Sequence, residues 1–139
     1  LLHFLFATIE HRHVRHIVVD DRPVDKQADA EIMQAVLDDP AERDLRTFQI
    51  PTSGIKQNGQ KINYFDFISG LSDSDCNRAL KRILPRIDMR KICELIDNTP
   101  YITDLQKQFY KTMLSERKEK ILDKSLQLLK SKERSSKVR

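Results

Sequence analysis

From Lys26 onward the apolar residues of this chain return every third or fourth position, and prolines at 40, 51, 85 and 100 cut that pattern into separate segments. A chain so patterned can bury a continuous face only as a set of amphipathic helices, because a half-buried strand would need strict alternation. The first segment spans Lys26 to Asp38, where Ala28, Ile32 and Val36, with Met33 and Leu37, fall on one stripe. Pro40 ends or restarts it, since proline lacks the amide a helix interior needs and its ring clashes with the preceding turn. Ala41 to Phe48 reads as a second short helix. Residues 51–61, with Gly54 and Asn58-Gly59, read as the one clear loop, and Asn-Gly turns the chain cheaply because both residues tolerate positive φ.

Four more helical segments follow. Asn63 to Leu71 carries Tyr64, Phe65, Phe67 and Ile68. Ser72 and Asp73 are suited to cap the next helix, which presents Cys76, Leu80, Ile83 and Leu84 before Pro85. Asp88 caps a third, with Ile92, Leu95 and Ile96 inward, stopped by Asn98-Thr99-Pro100. Thr103 and Gln106 have capping-box spacing and open the longest helix, which reaches about Lys130. Its apolar positions are Leu105, Phe109, Met113, Leu114, Ile121, Leu122, Leu126 and Leu129, interrupted by the charged stretch Ser115–Lys120. Residues 131–139 have almost nothing to bury and read as a frayed basic tail.

The fold class is therefore mainly α, an irregular bundle of five or six helices. A short N-terminal strand accompanies it, Ile17-Val18-Val19-Asp20 closed by a turn at Asp21-Arg22-Pro23. The change of character near residue 26 marks a boundary. Only one domain fits in 139 residues. No apolar run approaches the roughly 18 residues of a membrane span, and the apolar opening Leu1–Ala7 has no basic leader of a secretory signal. A cytoplasmic location is the expectation. Cys76 and Cys93, inside helical patterns, read as buried small hydrophobes in a reducing compartment.

Residues capable of chemistry are few. The sequence has no Gly-x-Gly-x-x-Gly, no phosphate loop and no nucleophile elbow, and three glycines, at 54, 59 and 70, cannot build a backbone cradle for phosphate. His11, His13 and His16, with Glu10 and Asp20, are metal-ligating types, but their spacing belongs to no specific zinc site, and an exposed basic segment explains them. Asp20-Asp21 after a β-branched run has the form of metal-holding aspartates at a strand end, or of a turn in which Asp bonds its own backbone. Tyr64, Phe65 and Phe67 are of the type that stacks on bases, but beside Ile62 and Ile68 they read as core. The basic stretch Arg117–Arg139 reads as a solvated helix end before it reads as a nucleic-acid contact.

Four phrases carry more information than spacing does. They are Lys61-Ile62-Asn63-Tyr64-Phe65-Asp66-Phe67, Leu84-Pro85-Arg86-Ile87-Asp88-Met89, Ile96-Asp97-Asn98-Thr99-Pro100 and Thr112-Met113-Leu114-Ser115-Glu116-Arg117-Lys118. In this order they resemble the C-terminal helical region of the HipA-like serine/threonine kinases, over residues 27–130. The resemblance implies part of a kinase C-lobe, with ATP and Mg²⁺ as cofactors of the intact family and none for this chain alone. In that family an ATP-holding lobe, a catalytic loop and a Mg²⁺-binding Asp precede the helices. Residues 1–26 hold no Asp-x-His-x-x-Asn loop. Counting back from Gln27 makes Asp20 the one metal-ligand candidate, although Asp21-Arg22-Pro23 stands where the family has small residues.

The resemblance thus implies a truncated or frame-shifted fragment, inactive alone, with no catalytic or cofactor-binding residue to assign. In the intact protein it would support phosphoryl transfer to protein Ser/Thr. An alternative is a stand-alone helical module pairing with a separate kinase half or an antitoxin-like partner. A second alternative is a basic nucleic-acid-binding protein, with direct nucleic-acid contact disfavoured.

Overall fold

The computed structural model describes residues 26–50 and 53–137. The four histidines, Asp20 and the strand expected over 17–20 lie outside the described residues. Helix α1 (Lys26–Asp38) and helix α2 (Pro40–Phe48) are followed by a two-stranded hairpin, β1 (Lys56–Gln57) and β2 (Gln60–Lys61). Next come α3 (Tyr64–Ser69), α4 (Ser74–Ile83), a 3₁₀ turn (Leu84–Arg86) and α5 (Met89–Asp97). A continuous helical run then joins α6 (Asp104–Arg117), a π-helical segment (Lys118–Asp123) and α7 (Lys124–Lys137). The architecture is mainly α, as the periodicity predicts, with the long run as its spine.

The helix starts are set by side chains that take up orphan backbone amides. Asp39 accepts from the Ala41 amide at 2.8 Å, with Pro40 in the first helical position. Asn63 caps α3 through the Asp66 amide, Asp73 caps α4 through Cys76, and Asp88 caps α5 through Arg90 and Lys91. The Thr103–Gln106 capping box forms in both directions, at 3.2 and 2.7 Å. The loop expected over 51–61 contains the hairpin instead, with Lys56 opposite Lys61 and Gln57 opposite Gln60. Its two turn residues, Asn58 and Gly59, have φ of 53° and 79°, the left-handed pair a two-residue hairpin turn requires.

The spine organises the core. Helices α1 and α2 pack on α6, α5 also packs on α6, α3 packs on the π segment and α7, and α4 packs on α7. Ile68, Leu80, Leu84, Leu114, Ile121, Leu122 and Leu129 form the buried cluster, flanked by Phe48, Phe65 and Phe67. Phe65 and Phe67 of α3 are half-buried and pack against this core, whereas Tyr64, also half-buried, is not part of the cluster. Met33 and Val36 are buried on α1.

Three expectations need correction. Ile32 and Leu95 do not face inward; they are 46% and 66% exposed, because α1 and α5 each bury only a narrow seam. The cysteines are half-buried rather than buried. The chain from Ser131 is helical as far as Lys137 rather than frayed, continuing α7 without a break and joined to α4 by a Lys81–Glu133 ion pair at 2.5 Å.

Candidate functional site

The charged stretch Ser115–Lys120, which the periodicity marks as an interruption, contains the one buried charged side chain among the described residues. Arg117 is 4% exposed. One terminal nitrogen of its guanidinium donates to the backbone carbonyls of Arg46 and Ile50, each at 2.9 Å. These carbonyls belong to the last turn of α2 and the chain leaving it, where the Gln49 amide bonds only the Leu45 carbonyl, so Arg117 takes up acceptors that this C-cap leaves open. Burial, helped by the neighbouring Arg46 charge, pulls its pKa down to about 10. A buried cation with carbonyl partners holds backbone in place at an electrostatic cost.

Arg43 does the same one helix earlier. Its guanidinium donates to the carbonyls of Val36 and Leu37 at the end of α1, and it faces Glu116 at 3.9 Å. Glu116 in turn meets Lys120 at 2.5 Å, and Lys120 reaches Asp44 at 2.6 Å. The hydrogen bond to Asp44, then that to Glu116, raises the Lys120 pKa. A seam of four alternating charges thus fastens α2 to the spine. Sequence reading missed both arginines, and only their place in a hydrophobic periodicity signals them.

The π segment makes this seam compatible with a continuous core. Arg117, Ile121, Ser125 and Leu129 are all buried and all four apart. In an unbroken α-helix each such step drifts by about 40°, so the four would fan out over about 120°. Underwinding over Lys118–Asp123 cancels that drift. The Ser125 hydroxyl, fully buried, donates to the Ile121 carbonyl at 2.6 Å and satisfies an acceptor in the widened turn. Lys118 and Asp123 pair at 2.9 Å across the same segment.

Beside the π segment lies an open cleft of about 510 Å³. Phe48 and Phe65 meet edge to face there, ring centres 5.5 Å apart, while Glu119, Lys120, Asp123, Lys124 and Gln127 supply a mixed-charge wall. Among the described residues no three His, Cys, Asp or Glu side chains come together in a way that could hold a metal ion. Nor is any helix there long and apolar enough to cross a membrane.

No family model matches the chain. The serine/threonine-protein kinase CtkA of Helicobacter pylori is 48% identical to it over 98 residues, 70% of this chain and 30% of that protein. The chain is a homologue of CtkA. The crystal structure of the Helicobacter pylori proinflammatory kinase CtkA superimposes with a TM-score of 0.69 at 45% identity, covering 74% of this chain and 36% of that one. The chain therefore spans about a third of the length of the CtkA chains it matches. Sequence and fold agree that this helical assembly is CtkA-like, and they bear out the resemblance read from the four phrases.

Proposed function

We propose that this chain is the C-terminal helical part of a HipA-like serine/threonine protein kinase and acts as its scaffold. It backs ATP- and Mg²⁺-dependent phosphoryl transfer to protein Ser/Thr without performing it alone. The observation that carries this reading is the CtkA match, 48% identity across 98 residues that correspond to only 30% of the kinase. The physical role follows from preorganisation: loops that position metal, phosphate and acceptor hydroxyl hold their places only on a rigid support. Arg117 and the Arg43–Glu116–Lys120–Asp44 seam provide such rigidity at the centre of the helices. A cytoplasmic location belongs to the same reading.

The test is complementation. The chain is assayed for phosphate transfer from radiolabelled ATP with Mg²⁺, alone and mixed with CtkA from which the matched stretch has been removed. The expected result is no labelling by either piece and labelling by the mixture. Labelling of serine by the chain alone would refute the scaffold. A second reading, a helical module that pairs with a separately encoded kinase half or an antitoxin-like protein, draws on Leu95 in the last turn of α5 and Tyr101 in the connection to α6, 66% and 103% exposed. It predicts a stable complex with such a partner and no gain of transfer on mixing.

A further inference from the structure

The charge of this molecule is segregated in a way the linear sequence conceals. Residues 76–87 hold four cations and no carboxylate, and residues 124–137 hold five cations with Glu133 alone. The chain as a whole is only +4, so everything outside these two stretches is net acidic. Although about 45 positions apart, the two stretches become neighbours when α4 packs on α7, and the Lys81–Glu133 ion pair fixes them side by side. That pair uses the one carboxylate of either stretch. Arg82 and Arg86 on one side, and Lys130, Arg134 and Lys137 on the other, are exposed and have no carboxylate partner among the described residues.

We propose that this joined surface of α4 and α7 binds the phosphate backbone of double-stranded nucleic acid, without regard to sequence. Lys130, Arg134 and Lys137 fall at i, i+4 and i+7, one stripe about 10 Å long on a regular helix. Arg82 on α4 and Arg86 in the 3₁₀ turn that follows it widen the stripe. Neither stretch contains an aromatic residue to stack on bases, so single strands gain no extra hold. Leu128, 38% exposed, is the one large aliphatic side chain on α7 that is exposed rather than buried or half-buried, too little to enter a bilayer. What remains is a dense, rigid row of cations, the kind that displaces counterions from a duplex. This surface becomes visible only because α7 stays helical to Lys137; a frayed tail would have spread the same charges. The inference is independent of the kinase reading, whose failure the complementation assay registers separately.

The experiment is fluorescence anisotropy of a labelled 20-base-pair duplex of arbitrary sequence, titrated with the full chain at 50–200 mM NaCl. Engagement of four or five phosphates predicts a log–log salt slope near −4, about a 250-fold loss of affinity across that range. R134E/K137E is expected to abolish binding. K56E/K61E, the same charge change on the exposed hairpin, is expected to retain it, with helicity of both variants checked by circular dichroism. Equal loss in the two variants would mean net charge alone attracts the duplex, and the surface assignment falls. It falls equally if the duplex is not bound at 50 mM NaCl, whether vesicles containing phosphatidylglycerol are bound instead or the basic surface meets the acidic α1–α2 region of a second copy and the chain self-associates.

Discussion

Arg117→Ala removes a donor, a stem and a buried charge at once, and the three contributions have different signs. The carbonyls of Arg46 and Ile50 each lose a partner at 2.9 Å; an unsatisfied buried acceptor costs about 1–3 kcal/mol. Two buried methylenes go as well, since alanine keeps Cβ, at about 0.8 kcal/mol each. Against this, a charge whose pKa burial has lowered to about 10 is no longer held out of water, which recovers about 3 kcal/mol. The balance is a loss of about 2.5 kcal/mol for alanine. Arg117→Met keeps the stem and should lose only about 1 kcal/mol. Urea unfolding followed by circular dichroism measures both. If the methionine variant is no more stable than the alanine variant, the balance drawn here is wrong.

The same group has a pH signature. Its folded pKa, about 10, lies below the unfolded value, so above pH 10 the unfolded chain binds more protons. The destabilisation is complete below pH 10 and relieved as pH rises past it. Arg117→Met should erase the relief.

Leu122→Ala, at a fully buried position of the π segment, is expected to cost 2–5 kcal/mol and lower the melting temperature accordingly. Thr103→Ala opens the capping box of α6 and should cost about 1 kcal/mol by urea denaturation, with amide exchange fastest at Gln106 and Lys107. Burial, then the Asp73 charge, pushes the Cys76 thiol above its ordinary 9.0. Its reaction with a disulfide reagent should therefore show a midpoint above pH 9.0. The folded chain also loses that group's stability as pH rises past 9.0, a loss that Cys76→Ala removes.

Much of the fold was legible because helix signals are local. Asp73, Asp88 and the Thr103–Gln106 box each announce a helix within four residues of where it begins. The bounds of α1 and the Asn58-Gly59 turn follow from equally short stretches. Ile32 and Leu95 were misassigned because periodicity shows that a helix has an apolar side without showing how much of it a neighbour covers. The seam around Arg117 was illegible for a different reason. Its acceptors, on Arg46 and Ile50, lie about 70 positions upstream and are backbone atoms that any residue could supply, so no side-chain pattern records the pairing. Of the basic surface, the stretch Arg117–Arg139 was legible and read as a solvated helix end, while its joining to the cations of residues 76–87 was not, because α4 and α7 meet only after folding.

The widened turn at Lys118–Asp123 also sets how the two ends of the spine are aimed relative to each other. Deleting a single residue there would let the run close into ordinary α-helix and rotate everything beyond it by about 100° about its own axis. Leu129 would swing away from Leu80 and Leu84, and the row of Lys130, Arg134 and Lys137 would turn off its shared frontage with Arg82. Chain length in these six positions is thus a dial that couples the interior of the molecule to the direction its outermost charges point.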